Sequence, residues 1–282
     1  KWGLTGIMDG HHYGWFPNPI VECARWCFNT RNVSPEEILE KIAQRDFGKE
    51  AAPLVLKAWQ RWSDAMASFT PGFDDQCGPL RVGPSYPFIF YPILYPFAEQ
   101  KMHFPFPEHA YRGERILNTL YKPEHVPGHT FIGRRLQEDL KIMGNALSLW
   151  EEGERLMDQA MEKVPENRKA DALLQAGVGK FYTHTLRTML GIKKWYLANR
   201  KLETTSSFEE ANALLDEMEE ILLQEKKNVL ETIPLVEADS RLGWEPTLEY
   251  ACDREHLEWK LQKLESVLRC TLPNYRMTVK KY

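Results

Sequence analysis

Residues 1–18, KWGLTGIMDGHHYGWFPN, carry the clearest signal of architecture in this chain. A mostly apolar, strand-like run at residues 1–8 leads into a loop rich in histidine, aromatic residues and glycine, and a helix-like segment follows at 20–28. This order of strand, polar and aromatic loop, and helix is typical of one βα unit of a barrel, whose loop faces the ligand. Because one unit cannot close a sheet, we expect the opening to be the last piece of a larger barrel.

The next segment predicts a pair of helices. Ser34, Pro35 and Glu37 supply an N-cap, a proline at the first helical position and a glutamate three residues after the cap. Gly48 ends this helix, and a second helix begins near Glu50. Apolar residues then recur every three or four positions, which indicates packing elements without chemistry of their own.

Residues 70–133 have a different character, because ten of the 18 prolines fall there among many phenylalanines and tyrosines. Disordered segments are poor in aromatic residues, so we expect an ordered excursion that packs over the barrel or over the helices that follow.

Four long amphipathic patterns follow and predict a helical bundle. The first pattern begins with Leu136 and is closed by Pro165. The other three span residues 167–202, 208–233 and 254–270. In the third pattern, Glu225 and its charged neighbours are predicted to face outward. Alternation of Tyr275, Met277 and Val279 suggests a short strand or tail at the end.

The predicted fold class is therefore mainly α. It comprises a terminal βα piece of a (β/α)8 barrel at residues 1–33, a helical pair with the Pro/aromatic-rich segment at 34–133, and a helical bundle at 134–282.

Composition and missing motifs exclude several functional classes. A net charge of −4 argues against a nucleic-acid partner. The sequence contains no apolar run of about 18 residues, so no membrane span is predicted. The five cysteines are odd in number and scattered, and Cys23 and Cys27 are predicted to face the core as thiols. This usage predicts a reducing, cytoplasmic location. Phosphate-loop, dinucleotide, zinc-protease and serine-hydrolase motifs are absent, so no cofactor and no metal are expected.

Aromatic residues are abundant, with nine tryptophans. Those within helical patterns are predicted to lie in the core, namely Trp59, Trp62, Trp150, Trp195 and Trp259. A different role is predicted for the loop at 9–18, which stands where barrel enzymes keep their chemistry. Its candidate substrate-binding residues are Asp9, His11, His12, Tyr13, Trp15 and Asn18. Histidine and asparagine can bond sugar hydroxyls, and aromatic rings can stack on a sugar. The alternative is a tight turn packed on the next element.

Two further groups of polar residues favour structural roles. His103, His109, His125 and His129 match no metal-ligand spacing, so surface or hydrogen-bonded histidines are the favoured interpretation. In the segment that joins the last two bundle helices, Arg241 lies beside apolar residues, which predicts a buried Arg241 in a structural ion pair with Asp239, Glu245 or Glu249.

Several motifs carry a family resemblance. They are Ala58-Trp59, Trp62-Ser63, the run from Thr185-Leu186-Arg187-Thr188 to Lys194-Trp195-Tyr196, Asp239-Ser240-Arg241-Leu242-Gly243-Trp244-Glu245, and His256-Leu257-Glu258-Trp259-Lys260. With the opening unit, they resemble the C-terminal region of bacterial proteins related to glycoside hydrolases of the family 20-like, hexosaminidase-like barrel type. The resemblance covers most of the chain. That family's acid and base carboxylates lie on earlier barrel strands, and no matching pair at a strand end occurs here, so the catalytic residues are not assigned.

The resemblance and the opening loop together predict the C-terminal part of a carbohydrate-active glycoside hydrolase, with the 9–18 loop lining the sugar site. The expected partners are a carbohydrate, an upstream barrel domain or separate chain, and a second copy in a homo-oligomer. The alternative is a non-catalytic helical module that supports a barrel or mediates dimerisation. Exposure of Trp15 in a cleft favours the first function, and burial of Trp15 favours the second.

Overall fold

A computed structural model describes residues 19–29, 33–69, 80, 83–88, 132–243 and 252–280. Within these ranges the chain is mainly helical and has no strand, which confirms the predicted α class. The strand and loop of the predicted βα piece, at residues 1–18, lie outside the described residues. So does most of the Pro/aromatic-rich segment.

The helices follow one another with short connections wherever the chain is described continuously. They are α1 (Pro19–Asn29), α2 (Pro35–Phe47), α3 (Ala52–Ser68), α4 (Ile132–Met161), α5 (Lys169–Thr204), α6 (Phe208–Ala238), α7 (Arg254–Ser266) and α8 (Leu272–Val279). Short 3-10 turns occur at Gly83–Ser85, Glu166–Arg168 and Ser240–Leu242, and a π-helical turn at Val267–Thr271 joins α7 to α8.

Local capping sets where helices begin. The hydroxyl of Ser34 accepts the N–H of Glu37 at 3.2 Å, and the Glu37 carboxylate accepts the N–H of Ser34 at 3.2 Å, so the predicted capping box is confirmed. Ser207 caps α6 and Asp253 caps α7 by accepting backbone N–H groups of the first turn. These caps satisfy donors that a helix end otherwise leaves without partners.

Neighbouring helices pack in chain order. Helix α2 lies on α3, α3 on α4, α4 on α5, α5 on α6, and α6 on α7, while α8 returns to α6. Since the loops after α4 and α5 are short, those successive helices run antiparallel. The predicted burial of tryptophans is confirmed, because Trp150 and Trp195 are buried and the other three are partly buried against the core.

Trp62 of α3 lies at the contact between α3, α4 and α5. Its ring stacks on Trp150 of α4 with centroids 5.3 Å apart, and its Nε1 donates to the Trp150 backbone oxygen at 3.1 Å. Trp150 Nε1 in turn donates to the backbone oxygen of Gly179 on α5 at 2.9 Å. Glycine makes room for this ring, because a Cβ at Gly153 or Gly179 would lie 2.5 or 2.4 Å from Trp62.

The end of α6 differs from the prediction. The sequence pattern predicted a helix over residues 208–233, yet α6 continues to Ala238 with Pro234 inside it. Proline removes one backbone hydrogen bond and disfavours the helical conformation of the preceding residue. Buried Val236 keeps the last turn packed on the core, and this tertiary contact outweighs the local preference.

The predicted strand or tail at the C-terminus is wrong, because residues 272–279 form α8. Leu272, Tyr275 and Val279 recur at helical spacing and pack on the core cluster of α5 to α7. Met277, which completed the apparent alternation, is 57% exposed. The apolar residues therefore follow the helical period and not the strand period.

The prediction that Cys23 and Cys27 both face a core is also wrong. Helix α1 has no buried residue, Cys23 is half-buried and Cys27 is exposed. Among the described elements, helix α1 packs mainly against α2, and an ion pair between Glu22 and Arg45 of α2 helps to hold it there.

The glycine at 179 provides a test of this packing. Gly179→Ala is expected to lower the free energy of unfolding by roughly 1–3 kcal/mol, because its methyl group overlaps the rigid ring of Trp62. Gly177→Ala is the matched control on the same helix, where a Cβ meets nothing within 4 Å. It should leave stability unchanged or raise it by up to about 1 kcal/mol through helix propensity. Urea denaturation measures both, and equal midpoints for the two variants would contradict the proposed contact.

Candidate functional site

A buried ion pair connects α6 and α7. Glu225 on α6 is 3% exposed, and Lys260 on α7 is fully buried. Lys260 Nζ donates to Glu225 Oε1 and, at 2.6 Å, to the backbone oxygen of Pro84. Thr188 of α5 donates to the same carboxylate oxygen at 2.6 Å. The pair therefore links three helices to the turn at Gly83–Ser85.

Residues 83–88, which belong to the Pro/aromatic-rich segment, are all buried in the bundle. Phe88 packs edge-on against Trp195 of α5 with centroids 5.8 Å apart. Lys260 Nζ lies 5.1 Å from the centre of the Phe88 ring. This part of the segment is thus held in the same core as the ion pair.

Burial shapes the electrostatics of the pair. Desolvation lowers the pKa of Lys260, and the charge and hydrogen bond of Glu225 act in the opposite direction. Removing two charges from water is costly, so such a pair adds little net stability. Loss of one partner, however, leaves the other charge buried and unpaired.

His184 of α5 extends the polar network toward α6. Its Nδ1 lies 2.6 Å from the hydroxyl oxygen of Thr232, and that hydroxyl donates to the backbone oxygen of Asn228 at 2.7 Å. Because the Thr232 hydroxyl hydrogen is donated to Asn228, the Thr232 oxygen can only accept a hydrogen bond from His184. Nδ1 of His184 therefore carries a hydrogen and donates it to Thr232. Burial, together with the positive charges of Arg187 and Lys180, lowers the pKa of His184 to about 4. His184 is therefore neutral at pH 7.

Asn228 has its amide orientation fixed by this network. Its Nδ2 donates to the backbone oxygen of His184 at 2.9 Å and to the hydroxyl of Thr188 at 3.1 Å. A backbone oxygen can only accept, so Oδ1 must point away from it. This Oδ1 is buried and has no hydrogen-bond partner in the described part of the chain.

Asn228 and Glu225 also line a groove between α5 and α6, with a cavity volume of about 380 Å³. Gly191 of α5 lies beside them. The groove is lined on its charged side by Arg187, Lys194, Lys227 and Glu231, and its apolar lining comes from Leu147, Leu190 and Ile221. Among the residues that can be described, this groove is the best candidate for a ligand site, since it combines concavity with convergent polar groups.

The predicted sugar-binding residues of the 9–18 loop lie outside the described residues. Glu245 and the four histidines at 103, 109, 125 and 129 do so as well. Within the described ranges, no three histidine, cysteine or carboxylate side chains are grouped so that they could hold a metal ion. No described helix is long and apolar enough to cross a membrane.

Asp239 and Arg241 form a bidentate ion pair. Arg241 Nε donates to Asp239 Oδ1 at 2.8 Å, and a second guanidinium nitrogen donates to Oδ2 at 2.7 Å. These hydrogen bonds lower the pKa of Asp239. The expectation of a buried guanidinium is wrong, because the Arg241 side chain is 40% exposed. Solvent screens such a pair, so its contribution to stability is about 1 kcal/mol or less.

Sequence reasoning missed the central pair and placed Glu225 on the outer face of its helix. A signal was present, since Glu225 lies between Leu222 and Val229 on the buried stripe of α6. Lys260 interrupts the buried stripe of Leu257 and Leu264 on α7 in the same way. Opposite charges at core positions of two neighbouring helices are the pattern of a buried ion pair.

Comparison of the chain with protein-family models, with curated proteins and with solved structures gave no match. The contacts within the described residues therefore carry the functional inference.

The ion pair can be tested by removing one partner. Lys260→Met is expected to lower the free energy of unfolding by roughly 3–5 kcal/mol, because it leaves Glu225 buried and unpaired. The double variant Lys260→Met/Glu225→Leu should recover much of this loss, since an apolar pair carries no desolvation cost. Exposed Lys201→Met is the control, with a change within about 0.5 kcal/mol. Chemical denaturation measures all three, and a Lys260 variant as stable as the control would show that the pair is not buried.

The network also predicts a pH dependence. The pKa of His184 is about 4 in the folded protein against an ordinary value of 6.5, so the unfolded state takes up the proton first as the pH falls. Stability from this group is complete above about pH 6.5 and falls by about 3 kcal/mol toward pH 4. Comparing denaturation midpoints of the parent and His184→Gln across this range measures the effect. The difference between them should shrink as the pH falls, whereas parallel profiles would contradict the assignment.

Proposed function

We propose that this chain is the C-terminal part of a carbohydrate-active glycoside hydrolase, and that its bundle supports the sugar site without performing the hydrolysis. In this proposal the 9–18 loop contributes side chains to the sugar site. The supporting observation is the burial of residues 83–88 in the core, with Pro84 held by Lys260. Residues 83–88 are therefore fixed on rigid helices, as the support of a binding site requires.

The carboxylates of the groove support a non-catalytic role for the bundle. A glycosidase needs two carboxyl groups across the glycosidic bond, one of which donates a proton. Glu225 already accepts hydrogen bonds from Lys260 and Thr188. Glu231 lies 3.8 Å from Lys227 and 3.9 Å from Arg187. Both carboxylates are thus already engaged by side chains of the bundle itself.

Trp15 is the most direct test of this function. Trp15→Ala should abolish binding of N,N′-diacetylchitobiose, a probe chosen from the hexosaminidase-like resemblance, and leave the melting temperature unchanged. An exposed stacking ring stabilises the ligand complex and contributes little to the core. Trp195→Ala is the contrasting control, because truncation of this fully buried ring should cost about 3–5 kcal/mol of stability. Calorimetric titration and thermal melting measure the two effects.

Two outcomes would contradict the proposal. A Trp15 variant that melts far below the parent but still binds the disaccharide would place Trp15 in the core. Turnover of an aryl N-acetylglucosaminide by the 282-residue chain would show that the chain carries out hydrolysis itself.

A further inference from the structure

The groove between α5 and α6 has the size and chemistry of a small-ligand site. Its volume of about 380 Å³ lies within the range of roughly 300–1,000 Å³ that is typical of ligand pockets. We propose that it binds an anionic sugar, that is, a sugar ring that carries a carboxylate or phosphate group. This inference rests on the proposed carbohydrate function and names a ligand class for a second site, apart from the 9–18 loop.

The floor of the groove offers a hydrogen-bond acceptor from Glu225. Lys260 and Thr188 occupy Oε1 of Glu225. The second oxygen, Oε2, lies on the side of Gly191, where an added Cβ would be 3.8 Å away from it. A ligand that reaches this floor must therefore bring donors.

These donors are expected to be neutral hydroxyl groups. Lys260 already balances the charge of Glu225 from inside the core. An ammonium group at the same carboxylate would be repelled by Lys260 and by Arg187 in the groove lining. Hydroxyl groups donate hydrogen bonds without this repulsion, and a sugar ring presents several of them together.

The cations of the lining supply the site for an acid group. Arg187 is held by Glu151 at 2.7 Å, and Lys227 lies 3.8 Å from Glu231. Lys194 is exposed and has no carboxylate partner among the described residues. It is therefore the cation most available to a carboxylate or phosphate of the ligand, in a chain whose net charge is −4.

Apolar side chains complete the site. Leu190 lies on α5 between Arg187 and Lys194, Ile221 faces it from α6, and Leu147 comes from α4. Such residues provide contact for the C–H faces of a sugar ring, while Oε2 of Glu225 and Lys194 fix its orientation.

Calorimetric titration of the full chain with sodium D-glucuronate tests the proposal. D-glucose serves as the neutral probe, and glucose 6-phosphate and inorganic phosphate serve as the phosphate probes. We expect binding of glucuronate, and a Kd raised about tenfold or more in Lys194→Met, because a charge-assisted hydrogen bond is lost. Lys201→Met is the matched control, since it removes an exposed charge from the same helix outside the groove. Its Kd should equal that of the parent, and thermal melting verifies that both variants are folded.

Each outcome decides the proposal. A preference for glucose 6-phosphate over glucuronate would support it and identify phosphate as the acid group. It is overturned if neither anionic sugar binds, if glucose binds as tightly as glucuronate, if inorganic phosphate binds as tightly as glucose 6-phosphate, or if both lysine variants lose equal affinity. The effect of Trp15→Ala on binding of N,N′-diacetylchitobiose is measured separately, so failure at the groove and failure of the proposed function are distinguishable.

Discussion

The buried pair of Glu225 and Lys260 is the constraint around which the second half of the bundle is arranged. A lysine without solvent exposure must find its partners within the protein, and here they come from α6 and from the backbone at Pro84. Thr188 adds α5 to the same contact. Helix register and the position of the 83–88 segment are thus set together. A shift of α6 or α7 would separate two buried charges, and a shift of α5 or of the 83–88 segment would break a buried hydrogen bond to the pair.

The same network shapes the groove. Oε1 of Glu225 faces the core, while Asn228 uses its nitrogen for His184 and Thr188. One carboxylate oxygen, Oε2 of Glu225, therefore remains for the groove side. A structural ion pair and a candidate ligand site share residues in this way, and stability and binding are coupled at Glu225. The exposed Lys194 can be changed without that coupling, which makes it the more informative position.

In the proposed function, support of the sugar site and hydrolysis are separate tasks. The described helices provide buried tryptophans, an internal charge pair and an anchor for residues 83–88. The proposed sugar contacts of the 9–18 loop depend on side chains beyond the described ranges, whereas the groove depends on residues whose contacts are described. The two proposals consequently rest on different parts of the chain.

The sequence alone determined the helical class, most helix starts and the burial of tryptophans, because capping residues and apolar periodicity act over a few neighbouring positions. Tertiary structure decided the rest. Helix α6 continues through Pro234 because Val236 is packed, and α8 is helical because Tyr275 and Val279 meet the core. Glu225 is buried because Lys260, 35 residues away, reaches it. Such contacts join residues far apart in the chain, and local patterns cannot specify them.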